Sequence, residues 1–255
     1  MTTEDTNQAP GSTSLSTLYT GTGAQRYHAI SAWDNSEIDT ILEFLNEPVS
    51  PSLTDLRVLE LASGSGRVTL PLAKAGYRVL ATDLSSDMLG ILDQRLRESE
   101  ARNENLSRLI ETRQANMASF SFPEQFRAVC IPTVSITLLS PADRRACLSC
   151  VRDHLAPGGS LIVSTDLVPT DKPKTMTVQL APSISLTEEL DPAAGLRRTT
   201  LEWGEERYVS DLQILPPSVL SAELSELGMR TVFQRSHTSE ALPGHANVIL
   251  GVVLP

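Results

Sequence analysis

The chain has 255 residues, of which 40% are apolar and 20% are charged, a balance typical of a folded globular protein rather than a disordered one. Its net charge is −10, and its 21 basic residues are scattered and outnumbered by 31 acidic ones. Nucleic-acid-binding proteins concentrate Lys and Arg to displace counterions, so no nucleic-acid partner is expected. No apolar run approaches the roughly 20 residues that cross a bilayer, so no membrane partner is expected either.

The N-terminal residues and the cysteines give a first indication of where the protein works. Residues 1–14 lack the basic and the apolar segments of a secretory signal, which predicts a disordered polar tail. Three cysteines without regular spacing favour a reducing, cytoplasmic location. Cys147 and Cys150 form a single C-x-x-C pair inside a predicted helix. A zinc site needs further ligands, so this pair is interpreted as structural.

Residues 15–56 are predicted to form an N-terminal lid segment followed by one helix. The stretch 15–35 is mixed in character, and Ser36 then opens the helix with Asp39 three residues later, as in a capping box. The apolar stripe of the helix consists of Ile38, Ile41, Leu42 and Leu45, and Pro48 and Pro51 end it.

Residues 57–170 alternate between short apolar strands and helices. Strands are predicted at 57–62, 78–83, near 109–112, at 127–131 and at 161–165; helices are predicted at 67–75, after Ser85 or Ser86, and from Pro141 to the turn 157–159. Strands separated by helices of about 10–15 residues form right-handed βαβ units, which produce a parallel sheet with helices on both faces.

Residues 216–255 are predicted to complete this core with a helix at 216–227 and strands at 230–235 and 248–253. The residues between the last two strands are too few for a crossover helix, so this pair should be antiparallel. The expected fold class is α/β: a Rossmann-like, doubly wound sheet of seven strands, mostly parallel with an antiparallel last strand.

Between these parts, residues 171–215 show alternating apolar and polar runs with turns at 191–195 and at Gly204. This pattern predicts a small inserted antiparallel sheet. Nothing in a nucleotide-binding core requires such an insertion, so we interpret it as the substrate-specificity element. It is also where a homodimer would pair.

The most informative segment joins the first strand to the next helix and strand. Gly64 and Gly66 lie in a tight turn where the absence of Cβ atoms lets a ligand approach the backbone. Asp83 follows 19 residues after Gly64, at the end of the second strand, where a carboxylate accepts hydrogen bonds from both ribose hydroxyls of a nucleoside. Glu60 would repel a pyrophosphate, and Thr69 occupies the position where dinucleotide-binding folds require a small residue. Both residues therefore disfavour a dinucleotide ligand. A sulfonium nucleoside with its ammonium group fits this acid better.

With these residues the chain resembles the class I S-adenosylmethionine-dependent methyltransferases, through the turn Glu60-Leu-Ala-Ser-Gly-Ser-Gly66 and over residues from about 15 to the C-terminus. The resemblance implies S-adenosylmethionine as cofactor, with Glu60, Ala62, Gly64 and Gly66 along its methionine part. Asp83 would hold the ribose, and Leu84 and Met88 would cover the adenine. Asn116, where the family often has an acid, would accept a bond from the adenine amine, and Met117 would offer a backbone amide.

The end of the fourth strand should face the transferred methyl group. The segment 131–135 contains Thr133 but lacks the set of Asn or Asp, prolines and aromatic residue found in nucleobase-amine methyltransferases. It also lacks the acid that a magnesium-dependent enzyme would need, so no metal is expected.

The segment from Tyr19 to His28 resembles the lid of small-molecule methyltransferases. By this resemblance, Tyr19 and Arg26 are candidates for closing over the cofactor carboxylate. Closure of the lid would exclude water and strengthen electrostatic interactions in the site. Methyl transfer relies largely on alignment, and a base is needed only if the nucleophile arrives protonated. Tyr27 and His28 are the candidate catalytic bases.

Three functions remain open from the sequence. The first is methylation of an amine on a small metabolite or modified peptide, as in natural-product tailoring; the second is O-methylation with Tyr27 or His28 as base; the third is a non-catalytic cofactor-binding scaffold. The lid and insertion resemble the N,N-dimethyltransferases of nucleotide-linked aminosugars and, more closely, the methyltransferases of daptide-type ribosomal peptide clusters. The latter resemblance would imply dimethylation of a C-terminal amine.

Overall fold

The computed structural model describes residues 16–31, 35–46, 57–171, 174–239 and 244–254; the expected tail at 1–14 lies outside them. The helices are α1 Gly21–Ser31, α2 Ile38–Asn46, α3 Thr69–Lys74, α4 Ser86–Ala101, α5 Pro141–His154 and α6 Pro217–Glu226. The strands are β1 Arg57–Leu61, β2 Arg78–Asp83, β3 Ile110–Gln114, β4 Phe126–Ile131, β5 Leu155–Leu167, β6 Lys174–Ala181, β7 Ile184–Asp191, β8 Leu196–Trp203, β9 Glu206–Gln213, β10 Arg230–Thr238 and β11 Ala246–Val253.

The main sheet has seven strands in the order β10-β11-β5-β4-β1-β2-β3. Strands β1 to β5 pair in parallel, whereas β11 runs antiparallel to both β5 and β10. The chain moves outward from β1 in one direction and then returns across it to β4. The predicted doubly wound sheet with an antiparallel last strand is therefore confirmed, and its switch point between β1 and β4 is where such folds bind ligands.

Two apolar layers cover the faces of this sheet. One consists mainly of residues from β4, β5, β11, α5 and α6, and the other contains α2, α3 and α4 against β1 and β2. Packing is tight where α2 meets β11: a Cβ atom added at Gly251 would lie 2.4 Å from the Phe44 ring. None of the helices in the described part of the chain is long and apolar enough to cross a membrane.

Strands β6 to β9 form a second, antiparallel sheet, which we call the meander. The sequence predicted three runs there, but residues 182–183 turn the first run into two strands. The buried Arg197 contacts Asp166, at the end of β5, and Glu188, whose Oε2 atom lies 3.3 Å from its Nε atom. A buried ion cluster thus attaches the inner face of the meander to the main sheet.

Two local predictions were wrong. The stretch before α2 contains an ordered helix, α1, which its weak apolar pattern did not reveal; only Gly23 and Ala24 of that helix are buried. Strand β5 begins at Leu155 instead of near residue 161, because an irregularity in its pairing with β4 and the positive φ of Gly158 absorb the expected turn within the strand.

Candidate functional site

A cavity of about 460 Å³ opens at the carboxyl ends of β1, β2 and β4, a volume within the range of small-molecule sites. Its remaining walls come from the N-terminal segment, the start of α5 and strand β9. The lining residues are Ser16, Tyr19, Tyr27, Ser31, Glu60, Ala62, Ser63, Gly64, Ser65, Arg67, Val68, Asp83, Leu84, Met88, Ala115, Asn116, Met117, Pro132, Thr133, Ser135, Leu138, Leu139, Ser140, Asp143, Val209, Ser210, Asp211, Leu212 and Gln213.

The glycine turn after β1 forms the floor of the cavity. Gly64 and Gly66 have φ angles of 56° and 80°, and Ala62 adopts the same left-handed region at 54°. A Cβ atom at Gly66 would lie 2.3 Å from the Leu92 side chain. Gly66 does not itself line the cavity: it lets α4 pack behind the turn, while Gly64 and Ala62 face the cavity.

Asp83 joins the end of β2 to this turn. One carboxylate oxygen accepts a bond from the Gly64 amide and the other from the Ser85 amide, both at 2.8 Å. Burial raises the pKa of the Asp83 carboxyl, and these backbone bonds partly oppose the effect. Each oxygen keeps a second lone pair for a ligand hydroxyl.

Glu60 is a buried acid in the cavity wall. Its carboxylate accepts a bond from the Thr69 hydroxyl at 2.6 Å, and it is only 1% exposed. Burial raises its pKa from 4.5 to about 8, against the opposing effects of Thr69 and Arg67. Near neutral pH this site therefore favours a cationic ligand, which would stabilise the ionised carboxylate.

The residues expected around the adenine all line the cavity: Leu84, Met88, Asn116 and Met117. The Asn116 side-chain oxygen already accepts a bond from the Ala118 amide at 2.9 Å. That bond caps the turn after β3 and fixes the orientation of the amide, so its nitrogen is directed away from Ala118.

At the end of β4 the backbone takes an unusual path. Thr133 and Val134 both lie in the left-handed region, with φ angles of 59° and 52°, which is disfavoured for side chains branched at Cβ. The Thr133 amide donates to Glu37 at 2.8 Å, and the Val134 amide donates to the Ser164 hydroxyl at 2.9 Å. Such conformations persist where surrounding groups fix them and are common at functional sites.

The N-terminal segment covers the cavity between α4 and the meander. The Tyr19 carbonyl accepts a bond from the Ser85 hydroxyl at 2.6 Å, and the Ser16 hydroxyl bonds to the Val209 carbonyl. The rings of Tyr19 and Tyr27 meet edge to face at 5.1 Å. Burial raises the pKa of the Tyr19 phenol, so it serves as a hydrogen-bonding group rather than as a base.

Two of the predicted lid residues do not line the cavity. The Arg26 guanidinium donates to Glu206 at 3.0 Å and lies 4.7 Å above the Trp203 ring, so it fastens α1 to the meander. His28 Nδ1 bonds at 2.8 Å to the hydroxyl of Ser65, which is itself a lining residue. Neither side chain is part of the cavity surface, although His28 contacts a residue of the lining through its bond to Ser65.

Several lining residues were not found from the sequence. Arg67 is the one Lys, Arg or His side chain among the described residues of the lining. Asp143 and Ser140 come from the start of α5, and Ser210 and Asp211 come from β9. An arginine after a glycine turn was a detectable signal, whereas no local pattern shows that β9 reaches the cavity.

The chemistry of this cavity fits S-adenosylmethionine. The buried Ser63 hydroxyl at the glycine turn has no hydrogen-bond partner in the described part of the chain, which suits a wall that a polar ligand completes. Glu60 favours cations, Asp83 can accept ribose bonds, and Arg67 offers a counter-charge for a carboxylate. No group of three or more His, Cys, Asp or Glu is placed to hold a metal within the described residues.

A doubly wound sheet with an antiparallel last strand and a site of this kind are features of the class I S-adenosylmethionine-dependent methyltransferases. Residues 58–159 match the family model of a methyltransferase domain, so the chain contains a domain of this family, and its cofactor is S-adenosylmethionine. The chain is similar to the glycopeptide N-methyltransferase MtfA complexed with S-adenosylmethionine: 26% identity, coverage of 88% of this chain and 96% of MtfA, and a TM-score of 0.61.

Two further comparisons extend this finding. CalS10, an amino pentose methyltransferase from Micromonospora echinaspora, shares the fold, with 16% identity, a TM-score of 0.66, and coverage of 91% of this chain and 97% of CalS10. A protein of Mycobacterium tuberculosis is 26% identical over 189 residues, which are 71% of this chain. That match spans 62% of the relative's own length.

Proposed function

We propose that the protein transfers the methyl group of S-adenosylmethionine to an amine of a small metabolite or modified peptide. The observation that carries this proposal is the charge of the cavity wall beyond the glycine turn. Asp143 and Asp211 line it, and among its described residues Arg67 is the one basic side chain. The Asp211 carboxylate accepts two bonds from the Arg198 guanidinium, at 2.7 and 2.9 Å, whereas the Asp143 carboxylate accepts the Ser140 hydroxyl at 2.8 Å. Asp143 therefore has no cationic partner among the described residues, and a carboxylate in that state attracts a basic substrate.

In this proposal the cofactor-binding residues lie on the β1, β2 and β3 side. Asp83 holds the ribose, Leu84 and Met88 cover the adenine, and Asn116 and Met117 border its edge. Glu60, Ala62, Gly64 and Ser63 follow the methionine part, and Arg67 takes the carboxylate-binding role that the sequence suggested for Arg26. Tyr19 and Tyr27 close the site.

The cofactor supplies an electrophilic methyl group on a sulfonium. When the carbon–nitrogen bond forms, the carbon–sulfur bond breaks and the positive charge moves from sulfur to nitrogen. The protein's part is alignment and exclusion of water. The left-handed turn at Thr133 borders the cavity where the fold directs the methyl group, and the lid covers it.

The described lining contains no histidine, which favours an amine over a hydroxyl acceptor. A free amine is a sufficient nucleophile, whereas a hydroxyl needs a base near neutral pH. His28 does not line the cavity and is bonded to the lining residue Ser65, and burial raises the pKa of Tyr19. An amine that arrives as an ammonium ion can transfer its proton to solvent or to a wall carboxylate before reaction.

The similar proteins support the acceptor class. MtfA is a glycopeptide N-methyltransferase, and KedS8 from Streptoalloteichus, which shares the fold, is a sugar N-methyltransferase. We further propose that residues 171–215 select the substrate, because β9 contributes a wall of the cavity. The narrower daptide-type assignment stays a prediction.

The test is turnover with S-adenosylmethionine against paired amine and hydroxyl acceptors, with product masses and fragment spectra locating the methyl group. We expect N-methyl products, and at least tenfold lower kcat/KM in Asp143→Asn. Asp153→Asn is the matched control, because that carboxylate is exposed on α5 beside Arg152. Methylation confined to oxygen or carbon would refute the acceptor class.

A further inference from the structure

The buried carboxylate of Glu37, at the start of α2, joins two parts of the cavity wall. It is fully buried. Its Oε2 atom accepts a bond from the Thr133 amide at 2.8 Å and one from the Arg67 guanidinium at 3.3 Å, and its Oε1 atom accepts one from the Asn247 side chain at 2.6 Å. Three donors from three different elements therefore converge on one carboxylate.

Two of these donors belong to residues that line the cavity. Arg67 follows the glycine turn and Thr133 follows β4, and both line the cavity. In the proposed arrangement Arg67 lies on the side of the methyl donor and Thr133 on the side of the acceptor. A single oxygen atom connects them directly. The Thr133–Val134 turn is also the strained part of the wall, so it depends on the groups that hold its amides.

We propose that Glu37 is a positioning residue, which couples the cofactor-binding arginine to the backbone turn that faces the acceptor. It touches neither substrate nor cofactor and acts through Arg67 and Thr133. When the cofactor carboxylate binds Arg67, the shared oxygen transmits the change to the Thr133 amide, so that both walls take their working arrangement together. This inference rests on the proposed role of Arg67 in cofactor binding.

Glu37→Gln tests the proposal with almost no change in volume. A carboxylate accepts from all three donors, whereas an amide has one acceptor oxygen and directs its own NH₂ group at a donor. Glu43→Gln is the matched control: it lies on the same helix, and its exposed carboxylate pairs with Arg235. Calorimetry with S-adenosylmethionine should show at least tenfold weaker binding for Glu37→Gln and less than a twofold change for Glu43→Gln.

A double-mutant cycle separates coupling from a purely structural role. In an Arg67→Met background, Glu37→Gln should weaken binding by less than about twofold, because the group through which it acts is gone. Equal losses in both backgrounds, or wild-type affinity in Glu37→Gln, would overturn the proposal, even if the variant melts at a lower temperature.

Amide NMR of the protein without cofactor gives a readout that depends neither on binding nor on turnover. The Thr133 resonance should move in Arg67→Met, and this response should be lost when Glu37 is glutamine. If Glu37→Gln does not fold, the Arg67→Met variant alone tests the proposal. A Thr133 amide chemical shift that is the same in Arg67→Met as in the wild type would then overturn the proposed coupling. Methylation on oxygen would refute the proposed acceptor class and leave this result standing.

Discussion

Replacing Asp83 with asparagine removes one charge and keeps the shape of the side chain. The carboxylate of Asp83 accepts from the Gly64 and Ser85 amides at 2.8 Å. In Asp83→Asn, one of these amides would face the NH₂ group instead of an oxygen. The ribose hydroxyls would lose a charged acceptor at the same time.

The size of the effect follows from these bonds. A hydrogen bond to a charged group contributes about 1.5–3 kcal/mol, so the loss of two ribose bonds corresponds to an upper bound of about 3–6 kcal/mol, or roughly 10²- to 10⁴-fold in Kd. The free energy of unfolding should change less than the free energy of binding. Burial raises the pKa of Asp83, which means that the ionised form is disfavoured in the folded state, and a neutral amide relieves this cost while one backbone bond is lost.

Calorimetric titration with S-adenosylmethionine and S-adenosylhomocysteine, together with thermal melts, measures both quantities. Because asparagine keeps one acceptor oxygen, we expect a loss of affinity below this bound but at least tenfold for both nucleosides, and a small change in Tm. Asp153→Asn, exposed on α5, should bind as the wild type does. Affinity within threefold of wild type in Asp83→Asn would refute the ribose assignment, because both ligands carry the same ribose.

Three further outcomes follow from the packing and the charges. Because burial raises the pKa of Glu60 from 4.5 to about 8, the free energy of unfolding of the ligand-free protein should fall as pH rises from about 5 through 8, while the affinity for S-adenosylmethionine rises. Glu60→Gln should flatten both pH profiles, and unchanged profiles in this variant would contradict the account. Gly66→Ala should lower the free energy of unfolding by about 1–3 kcal/mol more than Gly76→Ala, because both glycines have positive φ but only a Cβ atom at Gly66 would meet another side chain. Equal denaturant midpoints for the two variants would show that the packing of Leu92 against Gly66 does not contribute to stability. Arg144→Met should destabilise the protein by about 3–5 kcal/mol because it leaves Glu223 unpaired in a buried bidentate ion pair, and adding Glu223→Leu should restore much of the loss in urea unfolding.

The core was predictable because its signals are local. Strand β2 has the predicted bounds of Arg78 and Asp83, and Ser85 caps α4 by accepting the Met88 amide. The apolar stripe of α2 likewise gave a helix at the expected place. The spacing of apolar residues and the capping of helices are set by residues that are neighbours in the chain, so the sequence alone reveals them.

The site was only partly predictable because its walls come from residues distant in sequence. The acid–glycine spacing placed Asp83 and Gly64 together, but no local pattern singles out Glu37, which lies just before α2. Its role depends on Thr133, 96 residues later. Arg26 and His28 are not among the lining residues, and this was not predictable because α1, with its weak apolar pattern, was not recognised as a helix.

The meander begins and ends at nearly the same point of the main sheet. The Thr165 hydroxyl, near the end of β5, donates to the Leu215 carbonyl at 2.6 Å, fifty residues later in the chain. The core therefore closes beneath the insertion, and the backbone path from β5 to α6 does not depend on the length of what lies between. If the meander selects the substrate as proposed, exchange of the segment from residue 167 to residue 214 offers a route to new acceptors, provided that each replacement supplies a partner for the buried Asp166.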